Sequence, residues 1–100
     1  MIVQIVRFRS ALDDAAVVAT YEERAPRYRQ VPGLLNKYYL AYPTGEHGAV
    51  YVWDSVESME AFRQGDLART IPQAYRVQGE PQVEVAQVRL ALRSEPAATV

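Results

Sequence analysis

Val31-Pro32-Gly33-Leu34-Leu35-Asn36-Lys37-Tyr38-Tyr39-Leu40-Ala41-Tyr42, followed after a short turn by Gly48-Ala49-Val50-Tyr51-Val52-Trp53-Asp54-Ser55, is the stretch that decides the fold. Leu34 to Tyr42 alternates two sets, Leu34, Asn36, Tyr38, Leu40 and Tyr42 against Leu35, Lys37, Tyr39 and Ala41, which is the period of a strand. Both sets are partly apolar, so both faces of the sheet are expected to be covered. Pro43-Thr44-Gly45-Glu46-His47-Gly48 has turn composition, and Ala49 to Trp53 returns as a second strand, making a hairpin. Asp54 then offers a helix cap, with Glu57 three positions on, as in a capping box.

Working outward, Ile2 to Phe8 is short and rich in β-branched residues, and reads as a strand. The polar run Ser10 to Asp14 caps a helix that carries Val18, Tyr21, Ala25 and Tyr28 on one face. Its acidic start (Asp13, Asp14) and basic end (Arg24, Arg27, Arg29) suit the helix dipole. Pro26 predicts a kink or a break. Beyond Trp53, Met59 and Phe62 point inward on a second helix that Gly65 terminates, and Leu67, Ile71 and Tyr75 mark a further short helical piece containing Pro72. Gln78-Gly79-Glu80-Pro81 reads as a turn. Val83 to Leu92 reads as the last strand, its change of apolar set explained by a bulge near Val85–Ala86 or by burial on both faces.

The resulting order, β-α-β-β-α-β, is the ferredoxin-like α+β pattern with a four-stranded antiparallel sheet. One domain over 1–93 is expected, with a frayed tail over 94–100. Helices cover one sheet face only. The other is apolar here, which predicts a homodimer in which two sheets form an α+β barrel.

A net charge of −1 and 23% charged residues give no basic excess for nucleic acid. No apolar run reaches the roughly 20 residues that span a bilayer. The N-terminal residues lack signal-peptide character, so a cytoplasmic protein is expected, with neither membrane nor nucleic acid as partner. With no cysteine and a single histidine, His47, a multi-imidazole or thiolate metal site cannot form within one chain. No phosphate-binding or dinucleotide glycine motif is present, so no cofactor and no metal are expected.

Over Ile2 to Leu92 the chain resembles the YdhR-like monooxygenases, within the antibiotic-biosynthesis-monooxygenase-like group of dimeric α+β barrels. The likeness rests on Pro32-Gly33-Leu34, Lys37-Tyr38-Tyr39, Gly48 to Ser55 and Ala61-Phe62. It implies oxidation of a small aromatic or polyketide-type compound by dioxygen without metal or flavin, in a cleft between sheet and helices, with Trp53 as a pocket residue. The chain departs from quinone-forming members, which carry Asn and Tyr where Ala49 and Met59 stand here, and it lacks the helix-borne histidine of the haem-degrading branch.

Such chemistry needs a base, donors to steady the anion it forms, and a dry cavity. His47 is the candidate base or else a solvated turn residue. Trp53 and Arg76 complete the catalytic candidates, Trp53 alternatively as core and Arg76 alternatively as a surface charge. Tyr39, Tyr51, Met59, Phe62 and Tyr75 are the candidates for a wall that binds a small hydrophobic or aromatic molecule. Two other readings share the fold: a non-catalytic ligand-binding or stress-response domain, and a structural dimer whose pocket is filled by its own aromatic side chains.

Overall fold

The β-branched, alternating and helically spaced segments fold as β1 (Ile2–Ser10), α1 (Asp14–Tyr28), β2 (Leu34–Ala41), β3 (His47–Trp53), α2 (Val56–Arg63), α3 (Asp66–Arg69), α4 (Ile71–Ala74) and β4 (Val77–Gln87). The computed structural model describes residues 1–94, so the expected tail lies outside the described residues apart from Ser94. All strand pairs are antiparallel in the order β2-β3-β1-β4. This is the ferredoxin-like arrangement expected from the sequence, with α3 and α4 as two extra turns before β4.

The β1–β3 pair is unbroken from Ile2↔Trp53 to Phe8↔His47. Side chains opposite one another share a face, so Ile2, Gln4, Val6 and Phe8 stand with Trp53, Tyr51, Ala49 and His47 on one side. Ile2, Tyr28, Ala49, Tyr51, Trp53 and Met59 form the buried core there, with Val31, Leu34, Phe62 and Leu67 packed against it. Val3, Ile5, Val50 and Val52 occupy the opposite face.

Register shifts account for what strict alternation does not describe. In β2, Leu34 pairs with Trp53 and Asn36 with Val52, so one extra residue on β2 makes a bulge at Leu35. Alternation reverses across it. Leu34 and then Lys37 and Tyr39 face the helices, while Leu35 and Tyr38 are exposed. In β4, Arg7 pairs with Gln82 and Arg9 with Gln78. The expected turn at Gln78–Pro81 is therefore a bulge inside the strand, made with Gly79 at φ 70°. The strand starts and ends earlier than the expected Val83–Leu92, and the Val85–Ala86 pairing is regular.

Three helix details also differ from expectation. Helix α1 runs through Pro26 without a break. Pro26 and Glu22, whose carbonyl loses its partner to the proline, are both exposed, so water can take that hydrogen bond. Its inner line is Val17, Tyr21, Arg24 and Tyr28, and Arg24 is buried rather than part of a solvated helix end. Ser55, not Asp54, caps α2, its hydroxyl accepting from the Ser58 amide at 3.1 Å. Finally, α2 ends at Arg63 with Gln64 as its cap, and Gly65 is not left-handed, at φ −89°.

Asp54 has a different task. Its amide donates to the Gly33 carbonyl at 2.9 Å, and its carboxylate accepts from Ser58 Oγ at 2.6 Å. The β2 entrance is thereby tied to the start of α2. Gly33 sits at φ 80°, and a Cβ there would strike the Ser58 side chain. Gly33→Ala is expected to destabilise the domain by about 2–4 kcal/mol, adding left-handed strain to that clash. Urea unfolding measures this, and a loss under about 0.5 kcal/mol would show the contact to be dispensable.

Candidate functional site

Between the helix-facing side of the sheet and the helices lies a cavity of about 310 Å³, within the size range of small-molecule sites. Its floor is Val6, Ala49 and Tyr51, and its walls include Phe8, Tyr28, Tyr39, Phe62, Ile71 and Tyr75. Pro81 and Val83 of β4 close one side. A pocket filled by the protein's own aromatic side chains is thus not what forms.

The rings hold one another. Tyr51 stacks on Trp53 at 5.9 Å between centroids and 4° between planes, and Phe62 packs against both at 5.7 and 5.3 Å. Tyr21 stacks on Tyr39 at 4.4 Å, and Phe8 meets Tyr75 at 5.5 Å. Arg24 braces α1 against α3 by donating to the Leu67 carbonyl at 2.7 Å.

Of the residues singled out from sequence, Tyr39, Tyr51, Phe62 and Tyr75 line the cavity together. His47, Trp53, Met59 and Arg76 do not. His47 opens β3 beyond Phe8, with 6.3 Å between the rings. Trp53 is fully buried behind Tyr51, and its indole Nε1 donates to Gln4 Oε1 at 2.9 Å. Met59 is buried in the core. Arg76 is an exposed junction residue at φ 47°, its carbonyl accepting from the Ala11 amide at 3.0 Å.

Two features of the wall escape a reading of residue types. The hydroxyls of Tyr28 and Tyr39 are buried without a hydrogen-bond partner among the described residues. Burial pushes the Tyr39 hydroxyl up to about 12, and raises Tyr51 and Tyr75 as well, so all three remain protonated donors near neutrality. The second feature is Lys37. Its Nζ lies 3.3 Å from the Tyr28 ring centroid, 4.5 Å from Tyr39 and 4.6 Å from Tyr51. Burial, aided by the charge of Arg24, lowers its ammonium from 10.5 to about 7. The three ring faces oppose that shift by attracting the cation. The unfolded chain binds this proton more tightly, so this group's contribution to stability increases as pH rises from about 7 toward 10.5. Alternation alone could not reveal Lys37, because the Leu35 bulge decides which β2 set turns inward.

No group of three or more His, Cys, Asp or Glu side chains among the described residues is placed to hold a metal ion. No helix among them is long and apolar enough to cross a membrane.

Comparison with protein-family models and with curated proteins gives no match. Solved structures match over nearly the whole chain. A protein of unknown function from Nitrosomonas europaea aligns with a TM-score of 0.76 at 15% identity, covering 95% of both chains. SnoaB, a cofactor-independent oxygenase from Streptomyces nogalater, aligns at 0.74 and 14% identity over 93% of this chain and 97% of its own. An antibiotic biosynthesis monooxygenase aligns at 0.71 and 13% identity over 88% and 98%. The chain therefore shares its fold with these proteins.

The buried Trp53–Gln4 hydrogen bond fixes the ring behind Tyr51. Gln4→Leu removes the acceptor and strands the indole N–H, and is expected to cost about 1–3 kcal/mol. Thermal and urea melts measure it; an unchanged midpoint would mean that another acceptor replaces Gln4.

Proposed function

We propose that this protein is a dimeric, cofactor-independent monooxygenase-type enzyme acting on a small aromatic or polyketide-type compound held in the cavity. The observation that carries this reading is an aromatic-walled space of about 310 Å³ bordered by the unpartnered hydroxyls of Tyr28 and Tyr39. Flat rings stack on Tyr51, Phe62 and Tyr75, and an oxygen that becomes negative receives hydrogen bonds from the tyrosines. The likeness to SnoaB, itself a cofactor-independent oxygenase, supports the same reading.

For a hydroxylated anthrone the reaction balances without a further reductant. The ring CH₂ and one dioxygen give a ketone and one water, the substrate supplying every electron. Ionisation of the substrate makes it electron-rich enough to meet oxygen, and the apolar walls keep bulk water from the resulting anion.

Oxygen uptake with a panel of anthrones and quinols tests the reading. Wild type consumes oxygen, and Ala49→Leu, which places bulk on the cavity floor, reduces the rate about tenfold or more while circular dichroism stays unchanged, since small misplacements in a site are costly. Saturable binding without oxygen uptake would instead favour the non-catalytic ligand-binding reading.

The homodimer rests on β4 and on the second sheet face. Every residue of β4 after Val77 is exposed, with Val83 and Val85 at 53% and 50%. An eleven-residue edge strand this bare is an unprotected pairing edge. The radius of gyration, 15.1 Å, exceeds the roughly 13 Å typical of a 100-residue domain. A second copy would cover β4 and the apolar face of Val3, Ile5, Val50 and Val52. Light scattering at micromolar concentration is expected to return twice the chain mass; the mass of one chain would contradict it.

A further inference from the structure

Lys37 packs against three tyrosine rings with no carboxylate beside it among the described residues. Among the described residues it makes no ion pair or side-chain hydrogen bond, yet it reaches the cavity wall beneath Tyr28. A lysine placed inward without a carboxylate weakens a fold.

Among the described residues the cavity wall holds no aspartate, glutamate or histidine. Its other titratable members cannot accept a proton near neutrality. Arg63 and Arg69, from α2 and α3, are permanently charged and pair with Glu60 and Asp66. Tyr39 beside Lys37 on β2, Tyr51 from β3 and Tyr75 after α4 are held protonated by burial. Tyr28 and Arg24 approach from α1, Tyr28 as a ring face with a buried O–H and Arg24 as a positive charge. From β1 the wall receives only uncharged residues, Gln4, Val6 and Phe8. Among the described residues of the wall, the amine of Lys37 is the one base available.

We propose that Lys37 is the proton acceptor of the cavity, removing the proton of a bound phenol or enol and then holding the resulting anion as its ammonium partner. The ligand O–H bond breaks, an N–H bond forms at Nζ, and the electron pair stays on the ligand oxygen, delocalised into its ring. No oxidant takes part in this step. The ammonium so formed keeps its three tyrosine faces and gains the counter-ion that it lacks in the empty cavity. The ligand class, a hydroxylated aromatic, deepens the monooxygenase reading and rests on it; the proton transfer precedes oxygen and is measured without it.

The test is anaerobic absorbance titration of 2-naphthol with wild-type protein and Lys37→Met. Wild type is expected to lower the apparent pKa of bound 2-naphthol by about one unit or more, a tenfold shift in ionisation. Lys37→Met leaves it at the value of free 2-naphthol, while the affinity for 2-methoxynaphthalene, which has no proton to give, changes by less than about threefold in that variant. In parallel, NMR of ¹³Cε-labelled lysine in the unmodified protein follows Lys37 directly, so the proposal remains testable should a variant fail to fold. A resonance that titrates near 7 and moves upward when 2-naphthol binds supports it. Equal ionisation in Lys37→Met, a Lys37 that titrates above 10 in the free protein, or no binding of 2-naphthol at about 1 mM each overturns it. Ionisation without oxygen uptake on any anthrone or quinol would leave Lys37 as the acceptor and remove the monooxygenase reading.

Discussion

The bulge at Leu35 is the constraint on which the site depends. Without it, alternation through β2 would keep Leu34 and Lys37 on opposite faces. With it, Leu34 packs beside Trp53 and Lys37 pairs across to Tyr51, both on the helix side. One additional residue thus places an apolar side chain in the core and an amine under Tyr28. The bulge is held from outside the strand, where Gly33 turns at φ 80° and its carbonyl accepts from Asp54 at the entrance to α2. The short motifs around Pro32-Gly33 and Trp53-Asp54-Ser55 are distant in sequence and form one junction in space. That junction fixes where β2 begins, and so which of its residues turn inward.

Much of the fold was legible because its signals are periodic and local. The four-turn α1, the hairpin and the capped α2 each carry a strong pattern, and the strand order follows from the connections. The placing of β4 was not legible. Gly79 and Pro81 are turn formers in any local reading, and only pairing with Arg7 and Arg9 shows that they form a bulge within the strand. Pro26 misleads in the same way, since its cost depends on whether Glu22's carbonyl reaches water. Arg24 reads as a helix-end charge until α3 supplies the Leu67 carbonyl that receives it.

The candidate site divides along a similar line. Tyr39, Tyr51, Phe62 and Tyr75 were visible as aromatics at strand or helix spacing, and they converge on the cavity. His47 attracted notice for its chemistry, but its position at the start of β3 places it past the end of the cavity floor. Trp53 shares a face with Tyr51 and is screened by it, so its contribution is to hold Tyr51 flat. Lys37, the only lysine in the chain, lay in the quoted stretch in the same set as Tyr39, yet alternation does not say that this set turns toward the helices. Its role emerges from the absence of other bases around it, which is a property of the assembled wall.

The charge of that wall sets what can occupy it. Arg63 and Arg69 stand at its edges, paired outward with Glu60 and Asp66, Arg24 adds positive charge behind it, and among the described residues no carboxylate lies within the lining. A cationic ligand would meet repulsion between apolar walls, where charges interact more strongly than in water. A neutral aromatic enters at little electrostatic cost, and an aromatic that can lose a proton gains an attraction once inside. Ala49 supports the same preference, because its small side chain leaves room above the sheet where a ring can lie against Tyr51. The cavity is thus shaped for a flat molecule and charged for the anion of that molecule, and the two properties meet at the amine that the Leu35 bulge turns inward.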